Sequence, residues 1–336
     1  MTQAAPVALT MGEPAGIGAE SALMAWTALK ETGPAFFLLD DPERLAALAA
    51  ALGWAVPIRT IADPGEAVSL FRSALPVLPE RLEYPPAPGR PDPRNAGAVI
   101  RSIERAVELV RLGAAGAVAT NPIQKSTLYQ AGFVHPGHTE FLGALAGPGI
   151  RAVMMLACRH LRVVPVTVHV SLREAIATLT TGRIVEDATI TARALREDFG
   201  IDAPRLAIAG LNPHAGEAGA MGDEEERLIA PAIRQLRDSG IDATGPWSAD
   251  TLFTTRKRAS YDAAICMYHD QALIPVKTLA EDGGVNVTLG LPFVRTSPDH
   301  GTALDIAGTG AADPSSLIAA IRMAADMAAS RQEKAE

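Results

Sequence analysis

Residues Tyr261–Lys277 read YDAAICMYHDQALIPVK. The run AAICMY (263–268) is apolar or aromatic throughout, stops at His269, Asp270 and Gln271, turns apolar again and ends on Lys277. A continuous apolar run of this length, bounded by polar residues, reads as a strand buried on both faces, the kind found in parallel sheets. A plain polar turn between two core segments would look the same, so the reading depends on whether other strands end alike. Two do. RVVPVTVHV (162–170) delivers His169, and RLAIAGLNPHAGE (205–217) delivers His214 two residues past Asn212. In open parallel sheets, ligands gather beyond the carboxyl ends of the strands. Three imidazoles arriving there suit one divalent cation with positions left open for substrate, although each alone reads equally well as a turn or core histidine. Nothing in the spacing separates zinc, cobalt, manganese and magnesium.

Outward from these strands the same alternation continues. VALTM (7–11), AFFLLD (35–40), AGAVAT (115–120) and RAVMMLA (151–157) are further short apolar runs, separated by longer segments of helical period. That alternation predicts a mostly parallel α/β architecture. DPERLAALAAALG (41–53) reads as a helix with Asp41 as N-cap, Pro42 in the first turn and Gly53 as stop. NAGAVIRSIERAVELVRLG (95–113) carries an apolar face through Val99, Ile103, Val107 and Val110, and DPSSLIAAIRMAADMAASRQ (313–332) reads as the closing helix. Seven prolines between Pro76 and Pro93 predict an irregular, extended stretch, either a domain link or a surface excursion within one domain.

Composition narrows the class. A chain of 336 residues, 48% apolar and 20% charged, is globular and long enough for two lobes. With Lys plus Arg at 30 against 38 Asp plus Glu, the net charge is −8 and no basic cluster stands out. Nucleic acid and anionic membrane surfaces are therefore poor partners, and any anionic substrate must be held by a few local cations. Cys158 and Cys266 lie in apolar runs and read as two reduced core thiols. The first residues lack a basic and apolar leader, and no apolar stretch approaches a membrane span of about 20 residues, so the expected compartment is the cytoplasm.

Three more clusters carry candidate chemistry. In NPIQKSTLYQAGFVHPGHTEFLG (121–143), Asn121-Pro122 follows a strand, and His138, Thr139 and Glu140 open an apolar helix. Thr139 is either the cap of that helix or, with His138, part of an anion seat at its N-terminus. GGVNVTLGLPFVRTSPDHGTALDIAGTG (283–310) spreads Asn286, Arg295, Asp299 and His300 through a segment too irregular for one strand. Arg295 is a natural clamp for phosphate or carboxylate, with Lys277 as a second charge, unless Asp299 or Asp305 takes it up in a salt bridge. TMGEPAGIGAE (10–20) places Gly12, Gly16 and Gly18 between a strand and a helix. It lacks the dinucleotide spacing G-x-G-x-x-G, and no acidic residue about 20 positions on marks a ribose site, so a tight strand-to-helix turn is the better reading.

Taken together, MGEPAGIG, NPIQK, GHTEFL, GLNPHAGE, MYHDQ and VNVTLGLPFVRTSPDHGTA resemble the 4-hydroxythreonine-4-phosphate dehydrogenase family over nearly the whole chain. The resemblance implies a two-lobed α/β fold with a central cleft, like isocitrate and isopropylmalate dehydrogenases. The expected first lobe is 1–140 plus 285–336, and the second is 141–284, carrying the metal histidines. It further implies a homodimer with the active site at the subunit interface, NAD or NADP as cofactor, and one divalent metal ion (Zn, Mg or Co). Motif by motif, His169, His214 and His269 correspond to metal ligands, and His138, Thr139, Lys277, Asn286 and Arg295 to substrate contacts. Asp270 would orient a ligand imidazole or act as a base. Ala218, where a second glycine is common, and Glu281 are less typical, and both stand in loops near cofactor and substrate. The implied reaction oxidises 4-phosphohydroxy-L-threonine to a β-keto acid that decarboxylates, in pyridoxal phosphate biosynthesis. Rival readings are a dehydrogenase of another hydroxy acid, such as a phosphorylated four-carbon sugar acid or a cis-dihydrodiol, and a non-catalytic metal-dependent phosphometabolite-binding protein.

Overall fold

The computed structural model describes residues 5–135, 137–280 and 283–335; Glu281 lies outside them. Its strands, in chain order, are β1 (Val7–Thr10), β2 (Phe36–Asp40), β3 (Ile58–Thr60), β4 (Leu75–Pro79), β5 (Ala117–Thr120), β6 (Val153–Cys158), β7 (Leu161–Pro165), β8 (Arg205–Ala209), β9 (Asp242–Trp247), β10 (Ala263–Cys266), β11 (Val285–Leu289) and β12 (Arg295–Pro298). The chain divides into two compact units, residues 1–152 with 291–333 and residues 153–290 with 334–336. The helix His138–Ala146, which a lobe boundary at residue 140 would cut, lies whole in the first unit.

In the first unit the strand order is β3-β4-β2-β1-β5-β12, and every neighbouring pair is parallel. VALT of β1 and FFLL of β2 are fully buried, as parallel strands covered on both faces must be. The helix Ala96–Arg111 covers them with Val99, Ile103, Ala106 and Val107, all buried. Its Ser102 hydroxyl donates to the Leu39 carbonyl and accepts from the Met11 amide, fixing the helix over β1 and β2. The helix Pro42–Ala51 starts as expected, with the Asp41 carboxylate accepting from the Glu43 and Arg44 amides, and Gly53 ends it at φ 70°.

The proline-rich stretch departs from expectation at its start. Leu75–Pro79 is not irregular: it forms β4, between β2 and β3. Each of its prolines stands in one ladder, Pro76 opposite Arg59 of β3 and Pro79 opposite Asp40 of β2, with its ring nitrogen turned to the other side. The β2 ladder starts at Leu38↔Val77, one residue after Pro76, and the β3 ladder ends at Thr60↔Val77, before Pro79. Neither missing N–H is therefore demanded by a neighbour. The remainder, through Pro93, is a surface excursion within the first unit.

The second unit has the order β11-β6-β7-β10-β8-β9. Here β6 pairs antiparallel with both β11 and β7, whereas β7, β10, β8 and β9 run parallel. The segment 283–310, too irregular for one strand, yields two: VNVTL joins the second unit as β11 and RTSP the first as β12. No helix of the described residues is long and apolar enough to cross a membrane. Cys158 and Cys266 are both unpaired, Cys266 buried and Cys158 half-buried.

Candidate active site

The three histidine-bearing strands are neighbours, in the order β7-β10-β8, so their carboxyl ends open on the same edge of the second unit. Two of the following loops are tied together. The Val166 amide and the Thr167 hydroxyl, after β7, donate to the Cys266 and Met267 carbonyls at the end of β10, both at 2.8 Å. The helix His269–Leu279 then starts directly at the histidine, where a polar turn was one reading of the sequence. Buried Gln271 holds that helix start: its amide donates to the Gly210 carbonyl after β8 and its oxygen accepts from the Met267 amide, each at 2.7 Å.

The result is a pair of imidazoles. His169 and His269 have ring centroids 5.5 Å apart. Two imidazoles sharing one tetrahedral ion with metal–nitrogen bonds of about 2.1 Å have centroids about 5 Å apart, so this pair fits two ligands of one metal. Asp270 Oδ1 lies 2.7 Å from His269 Nδ1. An ionised carboxylate only accepts, so Nδ1 carries the proton and Nε2 keeps the lone pair that a metal needs. His214 does not close the group: among the described residues, no three or more His, Cys, Asp or Glu are gathered so as to hold a metal ion. It sits instead in a run of left-handed residues, His214, Ala215, Gly216, Glu217 and Ala218. His169 is left-handed as well, at φ 53°. Such conformations cost about 1–3 kcal/mol each in non-glycine residues and cluster at functional sites.

In the first unit the candidate residues gather around His138. This residue opens the helix His138–Ala146, anchored in the core by buried Phe141 and Leu142. Its Nε2 is shielded from solvent and has no hydrogen-bond partner among the described residues. Burial, with the charges of Arg295 and Lys125 adding to it, holds the imidazole well below its ordinary pKa. At neutral pH the ring is thus uncharged among cations. Arg295, fully buried on β12, donates from Nη2 to the Thr120 hydroxyl at the end of β5 at 2.6 Å. Burial lowers its pKa to about 10, which leaves it charged. Thr139 is one residue inside the helix, whose N-cap is Gly137, so Thr139 does not cap it. Nearby, at the ends of β1 and β5, Thr10 Oγ1 and Asn121 Oδ1 are likewise buried without partners among the described residues.

The remaining substrate candidates belong to the second unit. Lys277 is exposed near the end of the helix His269–Leu279, and Asn286 sits on β11 with Oδ1 shielded and without a partner among the described residues. Lys125 and Thr120 were not singled out in the sequence. The signal was present in NPIQK, where Lys125 follows the strand end that also carries Asn121.

The glycine turn is a tight packing device. A Cβ on Gly12, at φ 70°, would lie 2.5 Å from Asn121 Cβ and 2.8 Å from the Pro122 carbonyl. The amides of Glu13, Gly16 and Ile17 are consumed by the Pro122, Glu13 and Thr302 carbonyls, so these three do not cradle a pyrophosphate. Contrary to the sequence reading, acidic residues do follow at the end of β2. Their oxygens are engaged, however, Asp40 with Arg44 and Asp41 with the Glu43, Arg44 and Leu82 amides. A Rossmann dinucleotide site does not fit here.

A mostly parallel α/β chain that pairs strand-end imidazoles and gathers cations around a half-buried neutral histidine with a shielded nitrogen defines an enzyme class acting on small anionic metabolites. The family model described as "Pyridoxal phosphate biosynthetic protein PdxA" matches residues 34–324, and the chain belongs to that family. It is 54% identical to a 4-hydroxythreonine-4-phosphate dehydrogenase of Bradyrhizobium diazoefficiens, over 98% of each chain. A protein of the same name from Methylorubrum populi is 56% identical over 96% of this chain and 94% of its own. The solved 4-hydroxythreonine-4-phosphate dehydrogenase from Klebsiella pneumoniae superposes with a TM-score of 0.87 at 38% identity, covering 97% of this chain and 98% of that one.

Proposed function

We propose that this chain oxidises 4-phosphohydroxy-L-threonine with NAD or NADP, giving 2-amino-3-oxo-4-(phosphooxy)butanoate, which decarboxylates to 3-amino-2-oxopropyl phosphate in the supply of pyridoxal phosphate. The observation that carries this reading is the His169–His269 pair, set for a metal at the carboxyl ends of β7 and β10. Full-length similarity to dehydrogenases of that name supports the substrate.

His169 and His269 are the proposed ligands of one divalent ion, zinc, magnesium or cobalt, with His214 the proposed third, which would have to move in from the loop after β8. When bound, that ion supplies Lewis-acid polarisation of the substrate's hydroxyl oxygen. Asp270 holds the His269 ring in the tautomer that presents Nε2. His138, Thr139, Lys277, Asn286 and Arg295 are the proposed substrate contacts. Their contribution is orientation: a phosphate clamped by Arg295 fixes the alcohol carbon relative to the other reactant. His138, kept neutral, offers a hydrogen bond without adding a third charge beside Arg295.

A second copy completes the reading. Val170, Leu172, Ile176 and Ile274 are exposed apolar residues of the second unit. Val170 follows His169 directly, Leu172 and Ile176 share one face of the helix Leu172–Thr178, and Ile274 lies on the helix that His269 opens. Apolar exposure beside metal ligands favours a homodimer with the active site at its interface. Two unpaired cysteines favour the cytoplasm. The test is product identification: mass spectrometry of a reaction with 4-phosphohydroxy-L-threonine and either nicotinamide cofactor should show the decarboxylated amino ketone phosphate. Reduction of cofactor by a cis-dihydrodiol, with none by the phosphorylated substrate, would reverse the assignment.

A further inference from the structure

We infer that Lys125, a residue outside the candidate set, is a further anion-binding residue that holds the substrate's phosphate together with Arg295 and His138. The inference rests on the proposed substrate being a phosphate ester. Lys125 opens the helix Lys125–Gln130, five residues beyond Thr120, the hydroxyl that Arg295 grips. Its side chain runs back over Gly137, the residue preceding His138. A Cβ built on Gly137 would lie 3.1 Å from Lys125 Nζ and 3.3 Å from its Cε. Gly137 adopts an extended φ of −173° open to any residue, and its bare Cα lets the ammonium pass close to the start of the next helix.

Three features converge there. The ammonium of Lys125 and the guanidinium of Arg295 approach one imidazole from separate elements, and both depress its protonation. That imidazole carries a nitrogen shielded from solvent and unpartnered among the described residues, which costs about 1–3 kcal/mol unless something completes it. A buried guanidinium and an ammonium set around one unpartnered imidazole nitrogen fit a doubly charged phosphate, which has several acceptor oxygens to share. Glu140 Oε2 reaches the same place, 2.9 Å from the built Cβ. Glu140 is exposed, so its charge is screened by water and competes weakly with a bound anion. Lys125 is exposed too, which allows its replacement without disturbing the core.

The experiment compares wild type with Lys125→Met and Lys125→Arg by steady-state kinetics and by calorimetric titration with inorganic phosphate. Lys125→Met should raise KM for 4-phosphohydroxy-L-threonine about tenfold or more, the loss of about 1.4 kcal/mol of binding. KM for the nicotinamide should hold, kcat should fall less, and phosphate affinity should weaken in parallel. Lys125→Arg should recover most of both. In the histidine NMR spectrum, His138 of Lys125→Met should titrate at higher pH than in wild type. Unchanged KM and unchanged phosphate binding in Lys125→Met would overturn the inference, as would an arginine variant no better than methionine. An inactive wild type would instead count against the proposed reaction, and phosphate titration of the same proteins would still decide the role of Lys125.

Discussion

His138 refuses a proton that the unfolded chain accepts. Its pKa in the fold lies below the ordinary histidine value of about 6.5, chiefly through burial. Below that value the unfolded chain binds the proton and the folded chain does not, so stability falls as pH drops from about 6.5 towards the folded pKa and is intact above it. His138→Gln should therefore flatten the acid side of the stability curve, as read by urea unfolding between about pH 5.5 and 7.5. An unchanged slope would mean that the ring titrates normally. Asp270 acts through His269. Asp270→Ala should weaken metal binding about 10- to 100-fold, and His269→Ala should weaken it further while far-UV circular dichroism stays native. These residues were legible in the sequence because chemistry-bearing side chains stood at the ends of apolar strands. Lys125 was not, because an exposed lysine opening a short helix looks like any solvated charge until Gly137 is seen beside it.

Among the elements, the loop after β8 carries the largest backbone cost. Ala218 sits at φ 52°, a conformation that glycine adopts freely and alanine does not. Ala218→Gly should stabilise the protein by about 0.5–1 kcal/mol, less whatever entropy the glycine returns to the unfolded chain. By contrast, Ile103→Ala, deleting a fully buried side chain on Ala96–Arg111, should cost about 2–5 kcal/mol in denaturant unfolding. Periodicity made that helix readable, with its face through Val99, Ile103 and Val107. The elements that the sequence did not announce were those where local signals conflict with their place in the fold. β4 carries two prolines, each paired in one of its ladders and absent from the other. β12 is four residues of polar sequence, RTSP, buried only because β5 pairs with it. His269–Leu279 contains Pro275 and begins with polar residues, which hid a helix behind the look of a turn.

At the scale of the whole molecule, the parallel α/β class followed from strand-and-helix alternation, whereas the division into units did not follow from composition. Residues 291–333 return to the first unit through β12, a long-range pairing that no local pattern announces. The proposed homodimer makes its own prediction. Ile176→Lys, on an exposed helix face, should leave the monomer folded but convert the dimer to monomer in sedimentation equilibrium and lower activity at the same time. A monomeric wild type would remove the interface from the account. The most direct measurement of the central claim is nicotinamide reduction by purified protein with 4-phosphohydroxy-L-threonine, before chelation, after it, and after divalent metal is restored. The account predicts activity that disappears with the metal and returns with it; activity indifferent to chelation, in protein shown to be metal-free, would contradict it.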